Sequence, residues 1–368
     1  MKISIITMHG IKNYGSALQT YATQEFFKKY VDEVEIINYI RKDARNENLV
    51  EFWAKGNLIK KIIIYPTIRR WIKIFDRFYE KNVKISDGIF SDEEDFKKYK
   101  LDSDLYCVGS DQVWNSKWNL GIEYPLYLSF LPDSSFRFSF ASSFGQSYLD
   151  ENEVEKTKEY LQKFRFISVR EDSGKKIIEN QYGLPKAYHL IDPTLCLTGD
   201  EWRKLANTIK KTQNYILIYN LNRSREFDLY AKRLSQKTGL KLVRFCTRYD
   251  QIFRVGKSKL VPEVIEFIKL IDNAKYVLTD SFHATAFSMN LNTEPICIYP
   301  EQFGGRLESF LKMIDSEDRH VKNYDDFEVI NSTVDFNKIN NILEREREKS
   351  CDYMRMVISE YNNVDKSQ

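Results

Sequence analysis

The sequence predicts an α/β protein with about two domains, and three features of the chain support this prediction. Short apolar runs bounded by turn residues alternate with amphipathic stretches, which is typical of strand–helix units around parallel sheets. The chain has 368 residues, enough for a substantial core in each of two domains. Apolar residues make up 42% of the sequence and aromatic residues 14%, a composition that excludes a disordered chain.

The predicted strands are short apolar runs, each followed by a turn. In chain order they are Ile3–Met8, Val34–Tyr39, Leu105–Val108, Phe136–Ala141, Phe166–Val169, His189–Ile191, Tyr215–Tyr219, Lys241–Phe245, Tyr276–Leu278 and Pro295–Ile298. The predicted helix Ser16–Lys29 has apolar residues at helical spacing. A second helix, Asp150–Lys163, begins with its first residue and Glu153 in capping-box spacing. A third, Ser173–Gln181, is closed by Gly183.

The domain boundary is predicted near residue 200. The polar stretch Leu197–Gln213 separates two series of strand–helix units, and Tyr215–Tyr219 is the predicted first strand of the second series. We therefore expect an N-terminal domain over residues 1–200 and a C-terminal domain over residues 201–335. Residues 336–368 alternate charged and apolar positions, which predicts helices that cap the fold or return to the N-terminal domain.

Charge and cysteine content exclude several classes of protein. The formal net charge of +3 is too small for a protein that grips nucleic acid along its length. The five cysteines are odd in number and scattered, so we expect a reducing cytoplasm rather than a disulfide framework. The N-terminus reads as a strand, and no apolar run approaches the ~18 residues that span a bilayer, so we expect neither a secreted nor an integral protein. The four histidines lack metal-ligand spacing, and we expect no metal.

One segment departs from this charge balance. From Lys55 to Lys84 the chain has nine basic and two acidic residues, a net charge of +7, interleaved with isoleucines and aromatic residues. A helix of this kind can lie in the headgroup region of an anionic membrane. The alternative is a solvated helix whose apolar stripe packs on the first domain while its lysines face water.

The turn after the first predicted strand, Met8–Gln19, is a candidate ligand loop. It places His9, Asn13 and two glycines between a strand and a helix, and open α/β sheets bind ligands at the carboxyl ends of their strands. The glycine spacing fits neither a dinucleotide fingerprint nor a phosphate loop. Alternatively, the glycines make the turn and Asn13 only caps the helix.

The stretch Cys107–Asn115 also follows a buried strand and concentrates hydrogen-bonding groups beside an aromatic face, a combination that suits a sugar. The residues concerned are Ser110, Asp111, Gln112 and Trp114. Asp111 is a candidate base for a sugar hydroxyl. The alternative is that Ser110 or Asp111 only caps the next helix.

Two arginines occupy strand-to-helix turns. Arg170 follows the strand Phe166–Val169, where a guanidinium fork suits a carboxylate or a phosphate. A structural ion pair with Glu171 or Asp172 is the alternative interpretation. Arg306 follows two glycines after the last predicted strand, where it can join the same anion.

The strongest candidate site is Tyr276–Ser288, a strand, a polar turn and a helix of small residues. The sequence predicts His283 in the first turn of that helix, where free backbone N–H groups attract anions. Histidine can donate a proton near neutral pH, and Ser281 and Thr285 flank it with hydroxyls. A lone histidine is otherwise more often structural.

Together these motifs resemble the polysaccharide pyruvyl transferase family. In order they are Asn13-Tyr14-Gly15 with Leu18-Gln19 and Tyr21-Ala22, Val108 to Trp114, Ala141-Ser142-Ser143-Phe144-Gly145, Ser168-Val169-Arg170-Glu171, Asp192-Pro193-Thr194-Leu195, Thr279 to Ala286, and Arg306. The resemblance covers residues 1–315. The family has Gly after the histidine, whereas this chain has Ala284.

The resemblance implies a GT-B-like fold, with two Rossmann-type domains whose parallel sheets face a cleft. It also implies transfer of the pyruvyl group of phosphoenolpyruvate to a sugar, commonly as a cyclic 4,6-ketal. In such families the donor is held by an arginine matching Arg170 and a histidine matching His283. Phosphoenolpyruvate is then a co-substrate, and no cofactor is expected.

This reaction suggests a role for each candidate residue. Arg170, Arg306, Ser281 and Thr285 are expected to bind the donor, and His283 acts as general acid or stabilises the leaving phosphate. Asp111 is the expected base. The expected acceptor contacts are His9, Asn13, Gln112 and Trp114.

The expected acceptor is a sugar of a lipid-linked polysaccharide precursor, used in the cytoplasm at the inner face of the membrane. Two alternatives stay open at this point. A nucleotide-sugar glycosyltransferase has the same two-domain architecture, and a non-catalytic carbohydrate-binding protein would bind sugar without turnover.

Overall fold

The computed structural model describes residues 1–99, 101–211, 214–222, 224–300 and 304–365. The chain forms two compact units. Unit 1 comprises Met1–Arg45, Phe78–Cys196 and Glu344–Gln368, and unit 2 comprises Asn46–Arg77 and Leu197–Leu343. Each unit is therefore assembled from separate stretches of the chain.

The strands and helices alternate along the chain. The strands are β1 (Lys2–Ile6), β2 (Glu33–Ile36), β3 (Leu105–Val108), β4 (Phe136–Ser139), β5 (Ser168–Val169), β6 (Tyr188–His189), β7 (Tyr215–Tyr219), β8 (Lys241–Cys246), β9 (Lys257–Leu260), β10 (Tyr276–Thr279) and β11 (Glu294–Cys297). The helices are α1 (Tyr14–Phe27), α2 (Leu49–Ala54), α3 (Leu58–Asn82), α4 (Glu93–Lys98), α5 (Ser116–Asn119), α6 (Glu151–Leu161), α7 (Asp172–Lys176), α8 (Pro193–Cys196), α9 (Gly199–Ala206), α10 (Arg225–Thr238), α11 (Glu266–Asn273), α12 (Phe282–Asn290), α13 (Gly305–Met313) and α14 (Phe336–Asp365).

Unit 1 is built on a parallel sheet with strand order β2-β1-β3-β4. Bridges from Phe138 to Phe166 and from Ser142 to Val169 extend this sheet towards β5, which pairs with β6. Only the first residues of β1 and β2 are incompletely buried in these four strands, as expected for a parallel sheet that helices cover on both faces. Leu105–Val108 is buried throughout, as the sequence predicts.

Unit 2 contains a second parallel sheet, with strand order β11-β10-β7-β8-β9. The central strand β7 is fully buried. The edge strand β9 is not among the predicted strands, and its residues Lys257–Leu260 alternate exposed and half-buried positions. An edge strand pairs on one side only, so it needs no continuous apolar run to form.

The expected capping box at the start of α6 does not form. The Asp150 side chain makes no capping hydrogen bond. Glu153 instead accepts a hydrogen bond of 2.6 Å from the hydroxyl of Ser116. The Glu153 side chain thus bonds to a residue 37 positions earlier in the chain rather than to the start of its own helix.

The basic segment is divided between the units: its part up to Arg77 joins unit 2 rather than the N-terminal domain in which the sequence analysis placed it, and its part from Phe78 to Lys84 belongs to unit 1. The indole N–H of Trp71 donates to the carbonyl of Thr247 at 2.7 Å, and Arg70 donates to the carbonyl of Val261 at 3.1 Å. These bonds tie Asn46–Arg77 to strand ends of the second sheet, although the chain places this segment before β3.

The final part of α14 belongs to unit 1. Arg347 donates to the carbonyl of Leu195 at 2.8 Å, and the Tyr353 hydroxyl donates to the carbonyl of Ser139 at 2.8 Å.

Among the described residues, no helix is long and apolar enough to cross a membrane.

Candidate functional site

The motifs of unit 1 meet at the carboxyl end of its sheet. Strands β1, β3, β4 and β5 are parallel neighbours, so the turns that follow them emerge at the same edge. After strands β3 and β4 end, the backbone of Asp111 forms a parallel β-bridge with Ser142, and Ser142 forms another with Val169. Segments far apart in sequence therefore form one continuous set of loops.

Arg170 lies in this edge as a buried cation between carboxylates. Its side chain is 2% exposed and forms an ion pair with Asp192, while Asp111 lies 3.7 Å from its Nη2 atom. Burial alone would lower the pKa of Arg170, but the nearby carboxylates, Asp192 first, outweigh it and raise the pKa above its usual value. We call these three residues the Asp111–Arg170–Asp192 network.

The local ion pairs considered from the sequence are replaced by this network, because both neighbouring carboxylates are engaged elsewhere. Glu171 accepts hydrogen bonds from the Ser143 hydroxyl at 2.9 Å and the Phe144 N–H at 3.0 Å. Asp172 pairs with the Nδ1 atom of His189 at 3.2 Å.

Asp111 is held in an unusual backbone conformation. Its φ angle of 72° lies in the left-handed region, as does the 51° of Ala141 after the neighbouring strand. One carboxylate oxygen accepts from the Ser16 hydroxyl at 2.5 Å and the other from the backbone N–H of Gln112 at 2.9 Å. Left-handed residues other than glycine cost about 1–3 kcal/mol each and concentrate at functional sites.

The sequence analysis did not assign Asp192 a role, although its motif contributes to the family resemblance. The carboxylate is buried, and its Oδ1 atom accepts from the N–H and the hydroxyl of Thr194 at 2.9 and 2.7 Å. Its Oδ2 atom accepts from the Ser110 hydroxyl at 3.2 Å and pairs with Arg170. The Asp-Pro-Thr turn after a strand could have indicated a functional residue in the sequence. It could not indicate the ionic partner of Asp192, because Arg170 lies 22 residues earlier in the chain.

His9 and Asn13 are both engaged in supporting the first turn. His9 is buried, and its Nε2 atom lies 3.1 Å from the side-chain oxygen of Asn38. Burial lowers the pKa of His9 to about 4, so the imidazole is neutral at pH 7. The Asn13 oxygen accepts from the N–H groups of Gly15 and Ser16 at 2.8 and 3.3 Å, which is the helix cap considered from the sequence.

Trp114 belongs to the core of unit 1, which corrects its expected place among the acceptor contacts. The residue is 1% exposed, and its indole N–H donates to the carbonyl of Leu126 at 2.9 Å. Its ring packs against Tyr127 and Phe144, with centroids 5.8 and 5.1 Å away. A sugar therefore has no open face of this ring to stack on.

Gln112 is buried at the same edge, with its side-chain oxygen accepting from the amide of Asn115 at 2.6 Å. A Cβ atom at Gly145 would lie 2.3 Å from that oxygen, and the φ of Gly145 is 61°. The glycine of this motif thus makes room for Gln112 beside the network.

In unit 2, the turn after β10 leads into α12. Ser281 caps the helix, accepting from the N–H of Ala284 at 3.4 Å, and His283 is the second helical residue, as the sequence predicts. Its ring meets the Phe282 ring edge-on at 5.3 Å. The first amides of a helix have no intrahelical acceptor, so this turn presents N–H groups to an anion.

Thr285 does not line this turn, contrary to its expected donor-binding role. The residue is fully buried, and its hydroxyl donates to the Ser281 carbonyl at 3.1 Å and lies 3.3 Å from Cys297 Sγ. This back-bonding is common for threonine inside helices.

Asp280 belongs to the predicted site motif but was given no role from the sequence, and it joins two loops at this edge. Its carboxylate accepts from the N–H groups of Leu221 and Asn222 at 2.7 and 2.9 Å, and from the Asn222 amide at 3.0 Å. Desolvation raises the pKa of Asp280 despite these bonds. The residue therefore positions the loop after β7 against the start of α12.

Arg306 is the second residue of α13, which packs against α12. The Phe310 ring of α13 lies 5.8 Å from the ring of Phe282. Arg306 is one turn before Phe310 and so lies on the same side of α13. Within the described parts of the chain, no group of three His, Cys, Asp or Glu residues could hold a metal ion.

Comparison with solved structures gives the fold. A protein from Listeria monocytogenes assigned as a UDP-N-acetylglucosamine 2-epimerase is similar with a TM-score of 0.52 and 10% identity, over 94% of this chain and 90% of that one. The UDP-GlcNAc 2-epimerase of Methanocaldococcus jannaschii is similar with a TM-score of 0.50 and 13% identity, over 94% of each chain. The fold is GT-B-like, as expected. At such identities the similarity carries no information about activity.

The search of curated protein sequences finds no match to the chain. A family model does match: that of polysaccharide pyruvyl transferase, over residues 13–302. The matched range contains Asn13, Asp111, Arg170, Asp192 and His283, begins after His9 and ends before Arg306. Because the match spans well over half of its length, the chain belongs to the polysaccharide pyruvyl transferase family.

Proposed function

We propose that this protein transfers the pyruvyl group of phosphoenolpyruvate to a sugar of a polysaccharide precursor, forming a cyclic ketal and releasing phosphate. The observation that carries the proposal is the family match over residues 13–302. It is supported by the clustering of the matched motifs at the carboxyl edges of two parallel sheets, where α/β proteins bind their ligands.

The reaction makes two chemical demands. A proton adds to the methylene carbon of phosphoenolpyruvate, which makes C2 electrophilic, and a first sugar hydroxyl forms a bond to C2. The C2–O bond to phosphate then breaks with its electron pair, and a second hydroxyl closes the ketal. The two hydroxyls release two protons, which balance the one added to carbon and the one taken by phosphate. The enzyme must therefore bind a donor with two anionic groups, a carboxylate and a phosphate, and must move protons.

We assign the donor to unit 2. The N-terminal amides of α12 and the guanidinium of Arg306 offer positive potential for a carboxylate and a phosphate. To His283, in the first turn of α12, we assign protonation of the donor carbon or stabilisation of the departing phosphate. Ser281 contributes by capping the helix, so its hydroxyl already serves the Ala284 N–H.

We assign the acceptor hydroxyls to unit 1, with Asp111 as the base that accepts a proton. The sequence analysis expected Arg170 to bind the donor. The network favours a positioning role for Arg170, because its guanidinium already lies beside the carboxylates of Asp111 and Asp192. Arg170 then acts through Asp111, by fixing the direction of its carboxylate. Gln112 and the amide nitrogen of Asn13 stay as candidate contacts to the acceptor.

The test is to incubate the protein with phosphoenolpyruvate and a panel of lipid-linked saccharides, without any nucleotide. We expect phosphate release together with a product heavier by one pyruvate ketal. His283→Ala should lower turnover by about 10²–10⁴-fold, whereas Thr285→Val, which removes a hydroxyl bonded within α12, should not. Product formation only with a nucleotide sugar would indicate a glycosyltransferase, and saccharide binding without turnover would indicate a carbohydrate-binding protein.

A further inference from the structure

Helices α2 and α3 expose an unusual amount of apolar surface. We call this the α2–α3 surface; its large apolar residues that face solvent are Phe52, Trp53, Leu58, Ile59, Ile62, Ile63 and Tyr65. The most open of them, Leu58 and Ile62, are 73% and 76% exposed. Isolated exposed apolar residues are ordinary, but a contiguous group on one short stretch marks an interaction surface.

The surface is presented by a firmly held helix. Further along α3, Ile68 and Trp71 are buried, and the Thr67 hydroxyl accepts from the Tyr249 N–H at 3.1 Å. Towards the N-terminal end of α3, Lys61 pairs with Glu51 of α2 at 2.5 Å. The apolar stripe considered from the sequence is thus split, because its later residues, such as Ile68, Trp71 and Phe75, are buried and its earlier ones face solvent.

The charge of this surface favours an anionic membrane as its partner. From Leu49 to Arg69 the chain has four basic residues and one acidic residue, Glu51, which pairs with Lys61. The other basic residues, Lys55, Lys60 and Arg69, are exposed among the apolar side chains. Trp53 and Tyr65 are residue types that favour the boundary between lipid and water. Basic residues attract anionic headgroups, while the apolar ones enter the boundary with the acyl chains.

We propose that the α2–α3 surface docks unit 2 onto an anionic lipid bilayer, lying in the headgroup region. A protein partner would satisfy the apolar residues equally well, but interleaved lysines and isoleucines on one helix are typical of an interfacial membrane helix. This proposal rests on the proposed function for its biological purpose, because docking would bring the enzyme to an acceptor that is carried on lipid.

The test measures vesicle binding without substrates, so its failure would leave the transfer reaction untouched. We expect the protein to sediment with vesicles of equal parts phosphatidylglycerol and phosphatidylcholine, and less so as salt screens the charges. Lys55→Gln with Lys60→Gln should weaken partitioning by about 30-fold, from the attraction of two basic residues to an anionic surface. Leu58→Ser with Ile62→Ser should weaken it by about 100-fold, from the transfer of two aliphatic side chains.

The matched control is Ile209→Ser, because Ile209 is 77% exposed and lies outside this surface in the loop after α9. It should sediment like the unchanged protein. Equal binding to vesicles of phosphatidylcholine alone would overturn the role of charge. If the protein does not bind vesicles, or if the Leu58 and Ile62 changes abolish a dimer without affecting vesicles, the surface is not a membrane dock.

Discussion

The buried imidazole of His9 makes the stability of this protein depend on pH in a defined window. Burial lowers the pKa of His9 to about 4, from 6.5 in the unfolded chain. Below pH 6.5 the unfolded chain binds a proton that the folded protein excludes. The contribution of neutral His9 to the free energy of unfolding is therefore fully present above pH 6.5 and is progressively lost as the pH falls towards 4.

The size of the effect follows from the two pKa values. Between pH 7.5 and pH 5 the linkage amounts to about 2 kcal/mol, and it approaches about 3 kcal/mol at pH 4. A change of 2 kcal/mol shifts the melting temperature of a domain of this size by about 4–8 °C. The variant His9→Gln keeps a polar side chain beside Asn38 but has no titrating ring, so it should lack this contribution.

Calorimetric melting curves of both proteins at pH 7.5 and pH 5 give the measurement. Carboxylates titrate alike in the two proteins. The difference between the two proteins in how far the melting temperature falls from pH 7.5 to pH 5 therefore isolates the contribution of His9. We expect the original protein to lose about 4–8 °C more than His9→Gln. Equal shifts would refute the reasoning and would mean that the imidazole is hydrated in the folded protein.

Three further predictions concern the site. Asp192→Ala leaves Arg170 short of its nearest carboxylate, so it should destabilise the protein by about 3–5 kcal/mol in chemical unfolding without substrate; a loss below 1 kcal/mol would make the network unimportant for folding. Thr285→Val should leave phosphoenolpyruvate affinity unchanged in a calorimetric titration, because the hydroxyl is buried and bonded within its helix; weaker binding would restore its donor role. Arg306→Gln should raise the KM for phosphoenolpyruvate about 10-fold or more through loss of a charged hydrogen bond, and an unchanged KM would remove it from the donor site.

Much of the fold is predictable because it depends on local patterns. A strand covered on both faces of a parallel sheet favours apolar residues, so the sequence predicts Leu105–Val108 and Tyr215–Tyr219 with the bounds that the structure shows. The edge strand Lys257–Leu260 has no such requirement and was missed. Position in the chain was also a poor guide to the domains, since tertiary hydrogen bonds place Asn46–Arg77 in unit 2.

For the site, the order of the motifs along the chain was sufficient to indicate the family, and the turns after strands were sufficient to indicate the sheet edges. The strand-to-helix pattern also placed His283 at the start of a helix. These features follow from the sequence because each depends on residues within one turn or one strand.

Only the tertiary structure decided which side chains meet. Arg170 pairs with Asp192 and Asp111 rather than with its neighbours in the chain, and Trp114 packs into the core rather than beside a ligand. Burial and ion pairing depend on what lies across the sheet, and Ser16 meets Asp111 from 95 residues away. A sequence specifies the local conformation of each motif, whereas the partner of a buried charge is selected by the packing of all the strands at once.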